Sequence, residues 1–249
     1  MRKDENQLSK NSPNYIYGRN TSLAALENKK AIKVILQNGF NEPKILEQIK
    51  QQNFVPQYTD INHLNQISKN ANHQGIIVEV KPYEYCSVDE IIRSSKNKTQ
   101  PLVLILDEIE DPHNFGAILR SCDAFGVDGV IMKKKGEVQL NPTVARVSTG
   151  AINYVKVAVV ANLTQAAETL KKNGFWIASS DGEATQSYDE IDYKCPIGLV
   201  VGSEGFGISR LLLEHSDFII KIPMVGHVNS LNASVSAAIL ISQISLARK

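Results

Sequence analysis

Three separated segments of the sequence combine charged, amide and glycine residues in a way that an ordinary α/β core does not require. The first, Asp107–Arg120, reads DEIEDPHNFGAILR and places four acids, a proline and Asn114 before Arg120. Asn114 and Arg120 are six positions apart in the sequence, so their side chains converge only if a helix begins near Gly116. Taken alone, the segment is better explained by an asparagine that caps the helix and an arginine that faces solvent.

The second segment, Leu199–Arg210, reads LVVGSEGFGISR and carries glycines at Gly202, Gly205 and Gly207. This G-x-x-G-x-G spacing differs from the G-x-G-x-x-G of dinucleotide-binding loops, so it does not predict a pyrophosphate cradle. Glycines do leave room for backbone to approach a flat ligand, with Glu204 as a charged group in an otherwise small, apolar loop. A tight turn with an exposed glutamate explains this segment equally well.

The third segment, Ile222–Ser234, reads IPMVGHVNSLNAS and lies between an apolar run and a long helical pattern. Ser230, Asn232 and Ser234 are candidates to cap that helix, and capping is the default explanation. Capping requires only one such residue, however. Several hydroxyl and amide groups beside a loop fixed by proline predict a site that hydrogen-bonds a polar ligand.

The elements that must position these segments form an α/β pattern. Leu102–Leu106 is apolar without interruption, which predicts a strand buried on both faces of a parallel sheet. A helix over about Ala117–Phe125 follows, with Gly126 placed to end it in the left-handed conformation. Further strands are predicted at Val130–Met132, Trp176–Ala178, Gly198–Val201 and Phe218–Ile222, and further helices at Leu163–Lys172 and Ala233–Leu246. Such a sheet binds ligands in loops beyond the carboxyl ends of its strands.

The front of the chain alternates helical and strand patterns, which predicts a separate small α/β domain. Its predicted helices are Thr21–Glu27, Pro43–Gln52 and Ile61–Lys69, and its predicted strands are Ala31–Leu36, Phe54–Tyr58 and Gly75–Val80. A polar stretch after a short acidic helix, over residues 83–100, is a linker candidate. The first 14 residues are polar and charged and predict a disordered tail rather than a signal peptide.

Composition excludes several classes of protein. Hydrophobic residues make up 43% and charged residues 21% of the 249 positions, as in ordinary globular chains, and no apolar run is long enough to span a bilayer. The three cysteines, Cys86, Cys122 and Cys195, form no pair with disulfide or metal spacing, which fits a reducing compartment. The five histidines show no clustering of the kind a zinc site needs, so we expect no metal.

Net charge is +1, which by itself argues against a nucleic-acid partner, but the charge is unevenly distributed. Residues 1–85 carry 11 basic and 8 acidic side chains, whereas residues 100–249 carry 13 and 16. This asymmetry would suit a front domain that grips a polyanion and a rear domain that does chemistry. A solvated surface without function explains it almost as well.

Taken together, the three segments resemble, in order and spacing, the signature motifs of the SpoU/TrmH family of 2′-O-ribose RNA methyltransferases. These motifs read N-x-x-G-A-I-x-R, G-x-E-G-x-G and I-P-M-x-G-x-x-x-S-L-N-x-S; the main departure is Ala233, where valine is common. The front of the chain also resembles the substrate-binding domain of the RlmB-type 23S ribosomal RNA guanosine methyltransferases. That likeness is carried by YGRNTSLAALE at Tyr17–Glu27 and NHQGIIVEVKPYEY at Asn72–Tyr85.

The resemblance implies a C-terminal SPOUT domain over residues 101–249, α/β with a mainly parallel sheet threaded into a trefoil knot. It implies a small N-terminal α/β, L30e-like domain over residues 15–82 that binds the RNA substrate. It further implies S-adenosyl-L-methionine as cofactor, a homodimer, no metal, no membrane and a cytoplasmic location.

The resemblance also assigns site residues. The cofactor-binding positions of the family fall on Gly202, Ile222 and Leu231, with Met224 and Gly205 nearby. The catalytic set falls on Arg120, Asn114, Glu204, Ser230 and Asn232.

Among these, Arg120 matches the family arginine proposed to activate the ribose hydroxyl. A free guanidinium stays protonated and is a poor base. We therefore expect Arg120 to hold a phosphate or the developing alkoxide and to lower the pKa of the hydroxyl through its positive charge. Asn114 and Glu204 would orient Arg120 and the RNA, while Ser230 and Asn232 would position the ribose or the arginine.

The front domain would recognise RNA by shape and by unpaired bases. Candidate contacts are Gly18, Arg19, Asn20, Lys29, Lys30 and Lys33, and for the lysines a solvated surface is the simpler explanation. Two alternatives stay open: a transfer-RNA ribose 2′-O-methyltransferase, and a non-catalytic RNA-binding protein on the same fold. A nucleotide-dependent oxidoreductase fits poorly because the glycine spacing is wrong.

Overall fold

The structure is a computed structural model that describes residues 14–248. Their contacts divide the chain into two compact units. The first holds residues 14–83 and 141–153, and the second holds residues 84–140 and 154–248. The predicted tail lies outside the described residues except for Asn14, which begins the first strand.

The first unit is the predicted small α/β domain. Its main elements are β1 (Asn14–Tyr17), α1 (Arg19–Glu27), β2 (Ala31–Gln37), α2 (Pro43–Gln51), β3 (Gln57–Thr59), α3 (Ile61–Ser68) and β4 (Ile76–Val80). The sheet has the order β1-β4-β2-β3; β4 is antiparallel to both neighbours, and β2 and β3 are parallel. Ile35, Leu64 and Ile77 pack together in its core, so the alternating pattern of the sequence is confirmed here.

The rest of the chain alternates helices and strands. In chain order these are α4 (Val88–Ser95), β5 (Leu102–Asp107), α5 (Pro112–Ala124), β6 (Gly129–Lys133), α6 (Pro142–Val147), β7 (Val157–Val160), α7 (Leu163–Lys172), β8 (Trp176–Ser180), β9 (Gln186–Ser187), β10 (Ile197–Gly202), α8 (Arg210–Glu214), β11 (Phe218–Lys221) and α9 (Ala233–Ala247). All but α6 belong to the second unit.

The strands of the second unit form one sheet in the order β7-β6-β5-β10-β8-β11-β9, and every neighbouring pair is parallel. Strand β5 is buried along its whole length, as its uninterrupted apolar sequence predicts. Because the strands are parallel, their carboxyl ends meet at one edge. The loops after β5, β10 and β8, which are adjacent in the sheet, therefore start close together.

Helix α5 begins earlier than the sequence pattern predicted. The Asp111 side chain caps the helix by accepting a hydrogen bond from the backbone N–H of His113 at 2.9 Å, and Pro112 occupies the first turn. Asn114 therefore lies inside the helix, and the predicted start at Ala117 and the asparagine cap are both wrong. Gly126, with φ of 68°, follows the helix in the left-handed conformation, as predicted.

The stretch predicted as a linker, 83–100, carries the short acidic helix α4, and this helix belongs to the second unit. Ser87 and Glu90 form a capping box at its start, and Ile91 and Ile92 are buried in the core of that unit. A Cβ added to Gly129 of β6 would come within 2.7 Å of Ile91, so the helix packs directly on the sheet. Ile91 and Ile92, in an otherwise polar stretch, thus bury this helix against the core of the second unit.

The first unit is built from two separate stretches of chain, which the sequence did not predict. Helix α6 and a single-turn helix, Ala151–Asn153, belong to this unit. The Arg146 guanidinium lies 5.6 Å from the Tyr17 ring centroid and donates a 3.3 Å hydrogen bond to its hydroxyl. Gly150, with φ of 98°, lies so close to helix α1 that an added Cβ would be 2.6 Å from the Ala24 side chain.

Residues 14–248 contain neither a helix suited to a bilayer nor a cluster suited to a metal ion. No helix among them is both long enough and apolar enough to cross a bilayer. The same residues contain no cluster of three or more histidine, cysteine or acidic side chains arranged to hold a metal ion. The three cysteines are free thiols.

Candidate active site

The three segments singled out from the sequence meet at the carboxyl edge of the parallel sheet. The Asn232 amide donates to Asn114 Oδ1 at 2.9 Å and also to Glu204 Oε1. The Asn114 amide reaches the same Glu204 oxygen at 3.5 Å, and the backbone N–H of Ala233 donates to it at 3.1 Å. One carboxylate thus joins α5, the loop after β10 and the start of α9.

Asn232 combines the two roles that the sequence left open. Its Oδ1 accepts hydrogen bonds from the backbone N–H of Ser234 at 3.0 Å and from that of Val235 at 3.4 Å, which caps α9. Its Nδ2 donates to Asn114 and Glu204. Capping fixes the amide so that its N–H groups point away from the helix, and the same side chain therefore orders the site.

The loop that carries Glu204 is shaped by glycines. Strand β10 ends at Gly202, and Ser203 and Gly207 then exchange backbone hydrogen bonds of 3.1 and 3.0 Å. A Cβ added to Gly202 would lie 2.1 Å from the carbonyl oxygen of Gly207, so only glycine fits. Gly207 has φ of 67°, a conformation that glycine adopts without strain, whereas Gly205 has open space around it.

The far end of this loop is held by Asp107, which lies outside the set of site residues predicted from the sequence. Asp107 is fully buried at the end of β5; its Oδ2 accepts a 2.9 Å hydrogen bond from the backbone N–H of Ser209, and Lys133 lies 2.6 Å from its Oδ1. Partial burial alone would lower the pKa of Lys133, but the hydrogen bond and charge of Asp107, together with the charges of Glu108 and Glu137, raise that pKa above its ordinary value. The sequence signal for this role was an acidic residue at the end of an otherwise wholly apolar strand.

A cavity of about 380 Å³ lies beside this network, entirely within the second unit. Seven of the ten residues assigned from the sequence line it: Gly202, Glu204, Gly205, Ile222, Met224, Ser230 and Leu231. Asn114 and Asn232 are joined to it through Glu204. The structure thus brings together nine of the ten.

One wall of the cavity was not predicted from the sequence; it is formed by Ser180 at the end of strand β8 and by Asp181, Gly182 and Glu183 after it. The backbone N–H of Glu183 donates to Asp181 Oδ1 at 2.8 Å, so an aspartate turn shapes this wall. The signal was a polar Ser-Ser-Asp-Gly-Glu run directly after a predicted strand. Its relevance depends on β8 lying next to β10, which the local pattern does not reveal.

Arg120 is the one assigned residue that stands apart from the network. It lies near the middle of α5 with an exposed side chain and forms no hydrogen bond or ion pair with any residue from 14 to 248. Because Asn114 and Arg120 share one helix at a spacing of six, they point to different sides of it. The predicted orientation of Arg120 by Asn114 and Glu204 is absent from the described contacts, and the guanidinium is left with its donors free.

A partly buried carboxylate, that of Glu137, lies beside the ends of strands β5 and β6. Glu137 accepts hydrogen bonds of 2.9 Å from two backbone N–H groups, those of Glu108 and Lys133. Glu108 directly follows strand β5, and Lys133 is the last residue of strand β6. Burial raises the pKa of Glu137 to about 7, although these hydrogen bonds and the Lys133 charge favour the ionised form. This group therefore changes charge near neutral pH.

Known proteins match both units of the chain. The model of the SpoU rRNA Methylase family matches residues 101–242, and that of RNA 2′-O ribose methyltransferase substrate binding matches residues 15–86. A protein of Staphylococcus epidermidis, described as a TrmH family tRNA/rRNA methyltransferase, is 44% identical over 92% of this chain and 94% of its own. A similarly described protein of Staphylococcus aureus is 44% identical over 85% and 87%.

Among solved structures, the SpoU methyltransferase AviRb from Streptomyces viridochromogenes has a TM-score of 0.83 over 98% of this chain and 93% of its own, at 19% identity. An rRNA methyltransferase from Sinorhizobium meliloti, solved with AdoMet bound, has a TM-score of 0.77 over 95% and 88%, at 20% identity. These two likenesses concern the fold. With a family model over more than half of its length and relatives 44% identical along most of it, the chain belongs to the SpoU rRNA methylase family.

Proposed function

We propose that this protein transfers a methyl group from S-adenosylmethionine to the ribose 2′-hydroxyl of a guanosine in 23S ribosomal RNA. As a member of the SpoU family it is an RNA 2′-O-methyltransferase that uses S-adenosylmethionine. One observation carries the proposal at this site. Three loops distant in sequence converge through Asn114, Glu204 and Asn232 beside a cavity lined by the expected cofactor-binding residues.

The residues present fit this cofactor. Gly202 keeps side-chain atoms out of the place where the loop folds back on β10, and Ile222 and Leu231 give the cavity apolar lining for an adenosine. Asp181 and Glu204 supply acidic groups that suit a cation. S-adenosylmethionine supplies an activated methyl group on a positively charged sulfur, and Gly202, Gly205, Ile222, Met224 and Leu231 would hold it.

The chain must also align the ribose oxygen and help its proton to leave. We propose Arg120 for this role, because its guanidinium is exposed and uncommitted among the described residues. A fixed positive charge that binds an RNA phosphate or the developing alkoxide lowers the pKa of the hydroxyl without acting as a base. Glu204, Asn114 and Asn232 fix the loops around the reacting groups. Ser230, whose hydroxyl has no hydrogen-bond partner among residues 14–248, would hydrogen-bond the ribose.

The front unit supports an RNA substrate, and its size is the reason we propose ribosomal RNA. It spans about 70 described residues before the second unit begins and matches the substrate-binding model of the family over residues 15–86. The relatives, however, are described as tRNA/rRNA methyltransferases, so transfer RNA is the alternative that the experiment must separate.

We also propose that the protein acts in the cytoplasm as a homodimer whose second unit is knotted. Phe206 of the glycine loop is 88% exposed, and Val235 and Leu246 leave apolar surface on α9, which a second copy would cover. In the sheet, strand β10 lies between β5 and β8. The chain that follows β10 continues to β11 and then to α9, which starts beside the same loops, and this strand order is compatible with a knotted path of the chain. The three free thiols fit a reducing compartment.

Mapping 2′-O-methyl groups on total RNA from cells with and without this protein tests the proposal. We expect one guanosine of 23S ribosomal RNA to lose its methyl group when the protein is absent. Loss at a transfer-RNA site instead would establish the alternative substrate. If every 2′-O-methyl site persists and the purified protein fails to bind S-adenosylmethionine in calorimetry, a non-catalytic RNA-binding role replaces the proposal.

A further inference from the structure

Lys133 and Asp107 form an ion pair at the far end of the glycine loop, residues 203–208, within the second unit. Asp107 ends strand β5 and Lys133 ends strand β6, and these strands are neighbours in the sheet. Lys133 Nζ lies 2.6 Å from Asp107 Oδ1; the Asp107 side chain is fully buried, whereas that of Lys133 is 27% exposed. The pair therefore joins the carboxyl ends of two adjacent strands.

Asp107 is the member of the pair that contacts the chain beside the glycine loop. Its Oδ2 accepts a 2.9 Å hydrogen bond from the backbone N–H of Ser209, the residue that directly follows the loop. All residues of the loop line the cavity of about 380 Å³. A movement of the Ser209 backbone would therefore change the shape of that cavity.

Lys133 supplies the positive charge that the buried Asp107 requires. A carboxylate removed from water is costly unless a cation pairs with it, and removal of one partner leaves an uncompensated charge. Burial alone would lower the pKa of Lys133, but Asp107, Glu108 and Glu137 raise that pKa, so the ammonium stays protonated. Without Lys133, Asp107 would take up a proton or turn towards water, and either change would weaken its hydrogen bond with Ser209.

The backbone of Lys133 is itself fixed. Glu137 accepts 2.9 Å hydrogen bonds from the backbone N–H groups of Lys133 and Glu108. These two bonds hold the ends of β5 and β6 at a set distance from each other. The Lys133 ammonium is thereby presented to Asp107.

The second unit contains another ion pair of the same construction. Lys171 Nζ lies 2.9 Å from Asp217 Oδ1, and their side chains are 31% and 18% exposed. Asp217 Oδ2 also accepts a backbone hydrogen bond, of 2.8 Å, from the N–H of Ile177. None of these three residues lines the cavity, so this pair separates an effect on stability from an effect on the cofactor.

We propose that Lys133 is a positioning residue for methyl transfer, which acts through Asp107 to hold the glycine loop in the shape that binds S-adenosylmethionine. The inference rests on the proposed function in that S-adenosylmethionine occupies this cavity. Lys133 does not line the cavity, so its action needs no contact with the cofactor. It adds to the site a residue outside the three segments that the sequence singled out.

Four variants of the full chain test this inference. Lys133→Met removes the charge and keeps an apolar stem, whereas Lys133→Arg keeps the charge. The double variant Lys133→Met with Asp107→Asn leaves no buried charge unpaired, and its amide oxygen can still accept from the Ser209 N–H. Lys171→Met is the matched control. The readouts are the Kd for S-adenosylmethionine in calorimetry, the midpoint of thermal unfolding and the hydrogen-exchange rate of the Ser209 amide.

Lys133→Met should raise the Kd for S-adenosylmethionine about fivefold or more and speed exchange at Ser209, whereas Lys133→Arg should remain close to wild type. The double variant should bind more weakly than wild type, because its acceptor is neutral, yet more tightly than Lys133→Met. Lys171→Met should lower the midpoint of unfolding and leave the Kd unchanged. If Lys133→Met is too unstable to purify, the double variant decides by the same two readouts.

A wild-type Kd in Lys133→Met or in the double variant would overturn the inference, even with a lowered midpoint, because the pair would then act as Lys171 and Asp217 do. If the wild-type protein binds no S-adenosylmethionine, the proposed function fails. Exchange at Ser209 still decides the inference in that case: faster exchange in Lys133→Met alone supports the hold on the loop, and an unchanged rate overturns it.

Discussion

Replacing Gly202 by alanine is the sharpest test of how the cofactor loop is built. Strand β10 passes so close to the returning loop that the new methyl group would lie 2.1 Å from the Gly207 carbonyl oxygen and 2.7 Å from the Ile208 nitrogen. Both neighbours are backbone atoms, so no side-chain rotation relieves the contact. Gly205→Ala is the matched control, because nothing lies within 4 Å of its added Cβ.

The size of the effect follows from the overlap. Real Cβ atoms essentially never come closer than 3.0 Å to another heavy atom, so the Gly207 carbonyl must move by about 0.9 Å. That movement breaks the 3.1 Å hydrogen bond that this carbonyl accepts from Ser203. Overpacking of this kind costs roughly 1–3 kcal/mol, which corresponds to a fall of about 2–12 °C in the midpoint of unfolding.

Two measurements on the full chain check this: thermal unfolding and calorimetric titration with S-adenosylmethionine. We expect Gly202→Ala to bind the cofactor at least about tenfold more weakly, because moving the loop that lines the cavity should remove roughly 1.4 kcal/mol or more of binding free energy. Gly205→Ala should unfold within about 1 °C of wild type. If Gly202→Ala binds and unfolds like the wild type, the close approach of β10 and its loop is not a requirement of the site, and the reasoning is refuted.

Three further outcomes are expected. Arg120→Lys should lower kcat about a hundredfold or more, because a point charge replaces the planar guanidinium. Its free energy of unfolding should stay within roughly 0.5 kcal/mol of wild type, because the side chain is exposed and has no partner among residues 14–248. Wild-type turnover would remove Arg120 from the mechanism. Arg248→Ala should lower the free energy of unfolding by about 2–3 kcal/mol in denaturant titration, because the guanidinium donates to four backbone carbonyls. Arg210→Ala is the control; it breaks an exposed ion pair and should lower that free energy by less than about 0.5 kcal/mol. Because burial raises the pKa of Glu137 from 4.5 to about 7 in the folded protein, the bound proton stabilises the fold fully below about pH 4.5, and this contribution is lost as pH rises through 7. The remaining fall in stability of about 1–2 kcal/mol between pH 6 and pH 8 should vanish in Glu137→Ala and persist in Glu110→Ala.

Local signals in the sequence predicted elements well where capping and apolar pattern agreed. Helix α7 occupies Leu163–Lys172, as predicted, because Asn162 caps it and its apolar face has helical spacing. Helix α5 begins at Pro112 rather than Ala117, although Asp111 and Pro112 are an ordinary start signal. Asn114, the cap residue that the sequence suggested, lies inside the helix instead.

Convergence of the site depended on strand order, which no local pattern specifies. Asn114 and Glu204 are 90 residues apart and meet because β10 inserts beside β5. The motif resemblance predicted this meeting, whereas periodicity alone did not. The wall after β8 and the buried Asp107 were missed for the same reason, since both acquire meaning only when β8, β10 and β5 are known to be neighbours.

The two-part construction of the first unit affects how the protein must be made. A ribosome releases residues 14–83 well before 141–153, and in that interval β1 lacks α6 and the Arg146 contact with Tyr17. The amino-terminal module therefore matures only after β5 and β6 of the other module have emerged, which delays its folding relative to that of a module made from one continuous stretch of chain. Severing the gene after Tyr83 would yield a fragment that never acquires its closing helix, so separate expression of the two modules requires a circular permutation or a fused copy of 141–153.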